Sequence, residues 1–438
     1  MLGNTSLFGV LQYPAYRRLF AAQVVSLLGT GLASIALGLL VFELGGANAG
    51  VILGTVLAIK IIAYVTIAPV AEALLGHLPR RTVLVLLDLV RAGFALALPW
   101  VTEIWQIYLL IFLLQAASAG FTPLFQATIP DLLKDEEDYT KALSLSRLAY
   151  DLETLLSPVL ATLLLAVVTW QGLYAGTVCG FLASAALVFT VSLPFSTKTQ
   201  LPFRKRVTRG MQIYLATPRL QGGLILHGVV AAAGAMVFVN TVVLVQGHFG
   251  LAEHDTALTL AAFGVGSMLV ALVSPKLLEK FSERAVMLVG SLILVISLGI
   301  STGIEEWSEL LPIWMMLGFG YSMIHIPMGR LLRRSAHIED RPALFAAHFS
   351  LSHACWLIAY PTVGWLGATL ELSLTFGILA VGCLLGCVLA WRVWPKVDPI
   401  DLEHRHDDLS SNHPHLSGTQ VHVHPYVIDD LHPQWPGR

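Results

Sequence analysis

Long apolar runs separated by short polar segments make up most of this 438-residue sequence. A helix that crosses a bilayer needs about 20 mostly apolar residues, and twelve runs meet that requirement. They are residues 20–43, 50–72, 82–102, 105–128, 143–168, 173–194, 221–246, 256–278, 286–304, 310–329, 343–369 and 372–394. The pattern therefore predicts an all-α membrane protein with twelve transmembrane helices.

The composition agrees with this prediction. Hydrophobic residues account for 56% of the chain and charged residues for only 12%, whereas soluble domains have about 25% charged residues. The four cysteines all fall inside apolar runs, so no disulfide framework is expected. No phosphate-binding loop of the GxxxxGK[ST] type is present, and we expect neither an enzyme nor a nucleic-acid-binding protein.

The positions of the charges predict the sidedness of the chain. If the N-terminus lies in the cytoplasm and the sides then alternate, the external loops contain no Lys or Arg. This distribution follows the positive-inside rule. We therefore expect a multi-pass protein of the cell inner membrane with both termini in the cytoplasm. We also expect a monomer in the lipid bilayer, which the charges do not address.

A basic connector divides the twelve helices into two sets of six. Residues 1–194 form the first half, 195–220 the connector, 221–395 the second half and 396–438 a polar tail. Each half has a basic turn between its second and third helices, which indicates a parallel repeat with a substrate path between the halves. The tail shows no helical periodicity and is expected to be disordered or loosely folded, although residues 426–435 (YVIDDLHPQW) are apolar enough to dock on the membrane domain.

Residues 69–92 read PVAEALLGHLPRRTVLVLLDLVRA. This segment resembles the signature between helices 2 and 3 of the major facilitator superfamily, in its drug-efflux-like branch. Glu72, Gly76 and His77 depart from that signature. The family has an Asp at position 76 that helps to lock the inward gate. The matching positions are Pro69, Arg80, Arg81, Val83, Leu84, Asp88, Leu89, Arg91 and Ala92.

Residues 121–158 are similar to the fourth and fifth helices of the same branch. Residues 329–336 (GRLLRRSA), residues 340–368 and the histidine-rich tail resemble a subgroup near the nickel-resistance exporters of this superfamily. The resemblance implies the major facilitator fold and efflux by alternating access. Such folds host many functions, so the substrate has to be inferred from the site.

Ionisable side chains within predicted spans are candidate site residues, because charges in a bilayer are costly and usually face a cavity. Lys60 lies near the middle of the second span, where it is either a structural cation or a transport residue that pairs with Glu43 or Asp151. Arg147 and Asp151 are four residues apart, so they share a helix face and can pair. Glu153 points elsewhere and is a candidate for binding a proton or a cation, with a structural hydrogen bond as the alternative.

Four histidines fall within spans of the second half: His227, His325, His348 and His353. Neutral imidazole suits nickel, zinc, copper and cobalt, although a single buried histidine is commonly a packing residue. Because His348 and His353 are five residues apart, they cannot both point at one ion on a regular helix. The residues expected to form the gate or to support it are Glu72, Arg80, Arg81, Asp88, Arg91 and Arg147.

The tail contains seven of the fifteen histidines, mostly as H-x-H pairs that recur every nine residues. Histidine-rich tracts are typical of metal binding, and the alternative is a solubilising tail. The candidate ligands are His404, His406, His413, His415, His422, His424 and His432.

Three functions stay open at this point. The first is proton-coupled export of a divalent transition metal such as nickel, in which the metal is substrate or tail ligand and no other cofactor is needed. The second is export of an organic amphiphile such as a drug or siderophore, for which Lys60 favours an anion. The third is a metal sensor or scaffold whose transporter fold has lost transport, which the departures at Glu72, Gly76 and His77 would support.

Overall fold

The computed structural model describes residues 6–193, 202–398, 401–405 and 421–436, without the side chains of Ala47 and His422. In the first half the helices are α1 (Pro14–Gly45), α2 (Ala49–Leu75), α3 (Arg80–Ala97), α4 (Ile104–Leu132), α5 (Glu136–Leu165) and α6 (Trp170–Phe189). Helix α7 (Phe203–Ala216) follows in the connector. In the second half they are α8 (Pro218–Val242), α9 (Glu253–Lys280), α10 (Glu283–Ile300), α11 (Trp307–Arg334), α12 (Arg341–Thr369) and α13 (Leu372–Val393). Strands β1 (Asp401–Arg405) and β2 (Val421–Pro425) lie in the tail.

Twelve of the described helices are long and apolar enough to cross a membrane, and they coincide with the twelve predicted runs. Local sequence signals fix several of their ends. Asp135 caps α5 by accepting a hydrogen bond from the backbone of Asp138, and Ser282 caps α10 in the same way. Acidic residues in the first turn of α5 also complement the helix dipole.

The two halves pack as separate bundles and meet along two long seams. Within the first half α1 packs on α6 and α2 on α4; within the second half α9 packs on α11 and α8 on α12. Between the halves, α2 meets α12 and α5 meets α9. The central cavity lies between these two seams.

Helix α7 runs along the second half and is not one of the twelve spanning helices. It is amphipathic: Gly210, Ile213 and Tyr214 are buried, while Arg204 and Lys205 are exposed. A Cβ atom at Gly210 would overlap the carbonyl oxygen of Ala343, so only glycine allows α7 to lie this closely against α12. We call the side of the protein that carries α7 and the tail the connector face.

The tail is more ordered than its composition predicts. Strands β1 and β2 form an antiparallel hairpin, and the following residues Tyr426, Val427 and Ile428 are buried. Tyr426, Ile428 and Trp435 belong to the same hydrophobic core as α8, α11 and α13. The expectation of a loosely folded tail is therefore wrong for the described segments, because these apolar side chains dock on the second half.

A buried arginine fastens the tail to this core. Arg219 is only 2% exposed, and its guanidinium group binds Asp398 at 2.9 Å and the hydroxyl of Ser335 at 2.9 Å. It also donates to the carbonyl of Tyr426 at 3.3 Å and lies 4.8 Å from the centre of the Trp435 ring. The burial of this charge is thus compensated by an ion pair and by tail residues on several sides.

Candidate functional site

A cavity of about 480 Å³ lies between the two halves. Among the residues predicted for transport, Lys60 of α2, Glu153 of α5, His325 of α11, and His348 and His353 of α12 all line it. Arg91 and Arg147 contribute to the same wall. The structure therefore brings together ionisable side chains that are up to about 290 residues apart in the sequence.

Lys60 of α2 and Glu153 of α5 both face this cavity. The Nζ atom of Lys60 lies 5.8 Å from the centre of the Tyr64 ring, and within the described part of the chain Lys60 has no carboxylate within ion-pair distance. Glu43 is exposed at the end of α1 and does not line the cavity. Asp151 is engaged elsewhere, so neither of the partners expected for Lys60 pairs with it.

The intramembrane histidines form a row rather than a single cluster. His227 packs between His325 and His348, with ring centroids 4.9 Å and 4.8 Å apart. His348 shares a hydrogen bond of 3.1 Å with the hydroxyl of Tyr214 on α7. The Nε2 atoms of His227 and His325 are buried and have no hydrogen-bond partner among the described residues. In this conformation the rings do not converge on one point.

Arg147 and Asp151 form the predicted ion pair and also connect the halves. The hydroxyl of Ser267 on α9 donates to Asp151 at 2.6 Å, and Arg147 donates to the same hydroxyl at 3.0 Å. Ser322 of α11 lies 2.5 Å from Ser267. This polar group belongs to the α5–α9 seam, beside the cavity.

Asp131 at the end of α4 is the centre of the contact that closes the connector face. It pairs with Arg80 of its own half and accepts a hydrogen bond of 2.5 Å from Arg341 of the second half. Only 4% of its side chain is exposed. Asp131 thus places a carboxylate in the contact between the halves, although Gly76 stands at the signature position where the family has Asp.

Further contacts close the same face. Arg330 pairs with Glu136, and the hydroxyl of Tyr139 donates to the carbonyl of Gly329 at 3.2 Å. Arg333 donates to backbone carbonyls at the start of α5. Among the described residues, the side-chain hydrogen bonds and ion pairs between halves all lie at the level of Asp151 or nearer the connector face. The structure is therefore the state in which the connector face is closed.

The other predicted gate residues have different surroundings. Arg91 pairs with the buried Asp88 and lies 3.9 Å from the centre of the Phe121 ring, beside the cavity. Arg81 is exposed and lies 5.4 Å from the centre of the Phe189 ring. Glu72 lines a small pocket next to α12. Of the predicted gate set, Arg80 takes part in the ion-pair contact at Asp131, while Arg147 joins the halves deeper, beside the cavity.

A second group of histidines lies in the tail. His404 of β1, His424 at the end of β2, and His432 bring one ligand atom each within 4.8 Å of one another. The Nε2 atoms of His404 and His432 are 3.0 Å apart. Two imidazoles on a tetrahedral ion with metal–nitrogen distances of 2.0–2.1 Å have their nitrogens about 3.3 Å apart. We call these three residues the tail centre.

The other ring nitrogen of each histidine in the tail centre is bound to an oxygen atom. The Nδ1 atoms of His404 and His424 lie 3.0 Å and 2.9 Å from the carbonyls of Leu402 and Pro425. The Nδ1 atom of His432 lies 2.8 Å from a carboxylate oxygen of Asp429. Metal-binding histidines in proteins use such partners to fix the ring and its tautomer, so Nε2 is the nitrogen that would face an ion.

The hairpin register explains why these histidines meet. Leu402 pairs with His424 and His404 pairs with His422, so His404 and His424 lie diagonally on one face of the hairpin. The H-x-H spacing alone could not identify this pairing across two strands. The predicted ligands His406, His413 and His415 lie outside the described residues, as does the side chain of His422.

Two ionisable groups beside the tail centre have shifted pKa values. Partial burial acts to raise the pKa of Asp429, but hydrogen bonds from His337 and His432 outweigh it and hold that pKa below the usual range. The hydrogen bond to Asp429 raises the pKa of His337. Asp429 is therefore a carboxylate at neutral pH, which is the form that orients His432.

Two six-helix bundles around a central cavity with ionisable walls define a membrane transporter. The sequence model of the Major Facilitator Superfamily matches residues 19–241 and 223–414, and the chain belongs to this family. Its members are membrane transporters and not enzymes. The chain is accordingly a multi-pass membrane protein that transports a small substrate.

The chain is similar to the uncharacterized MFS-type transporter YfiS of Bacillus subtilis (strain 168), with 23% identity over 84% of this chain and 89% of the relative. It shares its fold with the human organic anion transporter MFSD10 (TETRAN), with a TM-score of 0.74, 13% identity, and coverage of 86% and 98% of the two chains. A bacterial homologue of the iron transporter ferroportin in its outward-facing state has a TM-score of 0.70, 14% identity, and coverage of 86% and 99%.

Proposed function

We propose that this transporter exports a divalent transition-metal ion such as nickel across the inner membrane, in exchange for protons. The connector face, with both termini, would be cytoplasmic, as the distribution of basic residues predicts. Alternation between the closed state described above and one open on the connector face would then carry the ion outward. The proposal includes a relationship to the nickel-resistance exporters, on the resemblance of residues 329–336, residues 340–368 and the tail.

The observation that carries the proposal is the tail centre, where three imidazoles meet on the connector face. Imidazole ligands favour nickel, copper, zinc and cobalt over calcium and magnesium. In the cavity, Glu153 is the carboxylate suited to exchange between proton and cation, and His325 presents a buried nitrogen without a partner among the described residues. A metal ion that binds first at the connector face would thus meet a carboxylate ligand and an imidazole ligand in the cavity.

Metal content of cells tests this function. Cells that overproduce the protein are expected to contain less of one metal when nickel, cobalt, zinc, copper and iron are compared. The Glu153→Gln variant removes the ionisable group while keeping the size of the side chain, so it should restore normal content. Glu305→Gln is a matched control, because Glu305 is exposed in a loop far from the cavity.

Protein levels in the membrane have to be equal for all variants. Unchanged content of all five metals in cells with the wild-type protein would contradict metal export. Lower content that Glu153→Gln fails to restore would support export and exclude Glu153 as the coupling residue.

The second candidate is export of an organic anion. Lys60 faces the cavity without an ion-pair partner among the described residues, and Arg91 lines the same wall. With Arg147, three cations line the cavity beside the single carboxylate of Glu153, and this excess of positive charge favours a negatively charged load. Lys60→Gln should then abolish efflux of the organic anion, whereas metal export should tolerate the same substitution because it removes a repulsive charge.

A further inference from the structure

One carboxylate joins the tail centre to the membrane-spanning core. An oxygen of Asp429 accepts hydrogen bonds from the ring and the backbone nitrogen of His432, both at 2.8 Å. The other oxygen lies 3.3 Å from the Nε2 atom of His337. His337 belongs to the loop between α11 and α12, so it is part of the core and not of the tail.

A second contact holds the tail at the same place. Arg209 of α7 pairs at 3.0 Å with Asp430 of the tail and at 3.0 Å with Asp340 of the α11–α12 loop. The backbone just before Asp429 and Asp430 is fixed because Tyr426 and Ile428 are buried in the core. The tail centre is therefore assembled against the loop rather than at a distance from it.

We propose that a divalent transition-metal ion bound by His404, His424 and His432 fastens the tail to the loop between α11 and α12, and that Asp429 and His337 couple the ion to the core. His337 is a positioning residue in this proposal, since it acts on the ion only through Asp429 and His432. The suitable ions are those that prefer imidazole, such as Ni²⁺, Zn²⁺, Co²⁺ and Cu²⁺. The proposal holds whichever substrate the cavity carries.

The physical basis is linkage between metal binding and docking. An ion that binds all three histidines requires His432 to face His404 and His424, and Asp429 fixes that orientation only while it is held by His337. The docked tail should therefore bind the ion more tightly than the undocked tail. At saturating metal, the ratio of docked to undocked tail rises by the ratio of the metal dissociation constants of the undocked and docked forms.

The first test is metal affinity in the purified full-length protein. Zn²⁺ and Ni²⁺ are titrated separately in competition with a chromophoric chelator, for the wild type, His404→Ala, His337→Ala and His337→Gln. His404→Ala should lose one bound ion. His337→Ala should lower the affinity for that same ion about 10-fold. This is the lower end of the loss of metal affinity seen when groups that orient the ligands are removed. His337→Gln, whose amide can donate to Asp429, should retain most of the affinity.

His254→Ala is the matched control, because His254 is exposed and contacts only its neighbour Asp255 among the described residues. It should bind metal like the wild type. Equal binding by the wild type and His404→Ala would overturn the metal centre. Wild-type affinity in His337→Ala would overturn the coupling, whatever the result for His404→Ala.

The second test measures docking directly. Spin labels are attached to cysteines at Val423 of the hairpin and Phe281 on the body of the second half, both exposed, after replacement of the four native cysteines. Metal should narrow the distance distribution in the wild type and leave it broad in His337→Ala. The same narrowing in both proteins would refute the role of His337. Because this assay contains no transport step, its outcome is separate from that of the metal-content experiment.

Discussion

Replacing Asp131 by Asn should open the connector face. The substitution keeps the size of the side chain and removes the negative charge that Arg80 and Arg341 share. Opening separates Asp131 from Arg341 but not from Arg80, since Arg80 belongs to the same half. The mutation therefore destabilises the closed state relative to the open state.

The structure sets the size of this effect. Replacing a charge-assisted hydrogen bond by a neutral one costs about 1 kcal/mol. Leaving a buried polar group without its partner costs about 1–3 kcal/mol, and this range applies to Arg341 because its side chain is only 15% exposed. A change of about 1–3 kcal/mol corresponds to a roughly 5- to 140-fold shift toward the open state.

Distances between spin labels on cysteines at Lys134 and Glu339 measure this equilibrium, because both residues are exposed on either side of the gate. Asp131→Asn should add a longer distance to the distribution. Glu137→Gln is the control, since Glu137 pairs with Lys141 of its own half. The same distribution in Asp131→Asn and the wild type would refute the assignment of Asp131 as the gate carboxylate.

Two further substitutions test the packing of the connector face. Arg219→Gln removes the charge that binds Asp398 and the tail. Because Asp398 keeps its ion pair with Arg334, the docked tail should be destabilised by about 1–3 kcal/mol, and the distance between labels on the tail and the core should broaden without added metal. Gly210→Leu should push α7 away from α12 and lower the free energy of unfolding by about 1–3 kcal/mol, measured as a lower thermal midpoint; Gly228→Leu is the control, because its Cβ would meet open space.

The twelve spanning helices could be predicted because the bilayer imposes one rule on each of them, a run of about 20 apolar residues. Helix α7 is short and has a basic face, so its sequence predicts a charged connector and does not reveal a helix packed against α12. The hairpin was missed for a related reason. Its strands carry polar and histidine residues, and the apolar contact that docks them comes from Tyr426 and Trp435 further along the chain.

The site was partly predictable for the same physical reason. A charge within a spanning helix is costly, and this marks Lys60 and Glu153 as candidates; both line the cavity. The cost of a buried charge gives no information on which charges pair. Glu43, expected as a partner of Lys60, lies outside the cavity. Asp131 and Arg341 lie at helix ends, where charges are ordinary, and no local signal marks them as a pair 210 residues apart.

The gate and the tail meet in the loop between α11 and α12. Asp340 binds Arg209, which also binds Asp430 of the tail, and the adjacent Arg341 binds Asp131 of the first half. Any movement that separates Arg341 from Asp131 shifts the loop to which the tail is tied. Because the tail and this loop both belong to the second half, they move together when the halves separate, so an ion in the tail centre should leave the free energy of opening unchanged. Metal should therefore narrow the distance distribution of the tail and leave the Lys134–Glu339 distribution as it was.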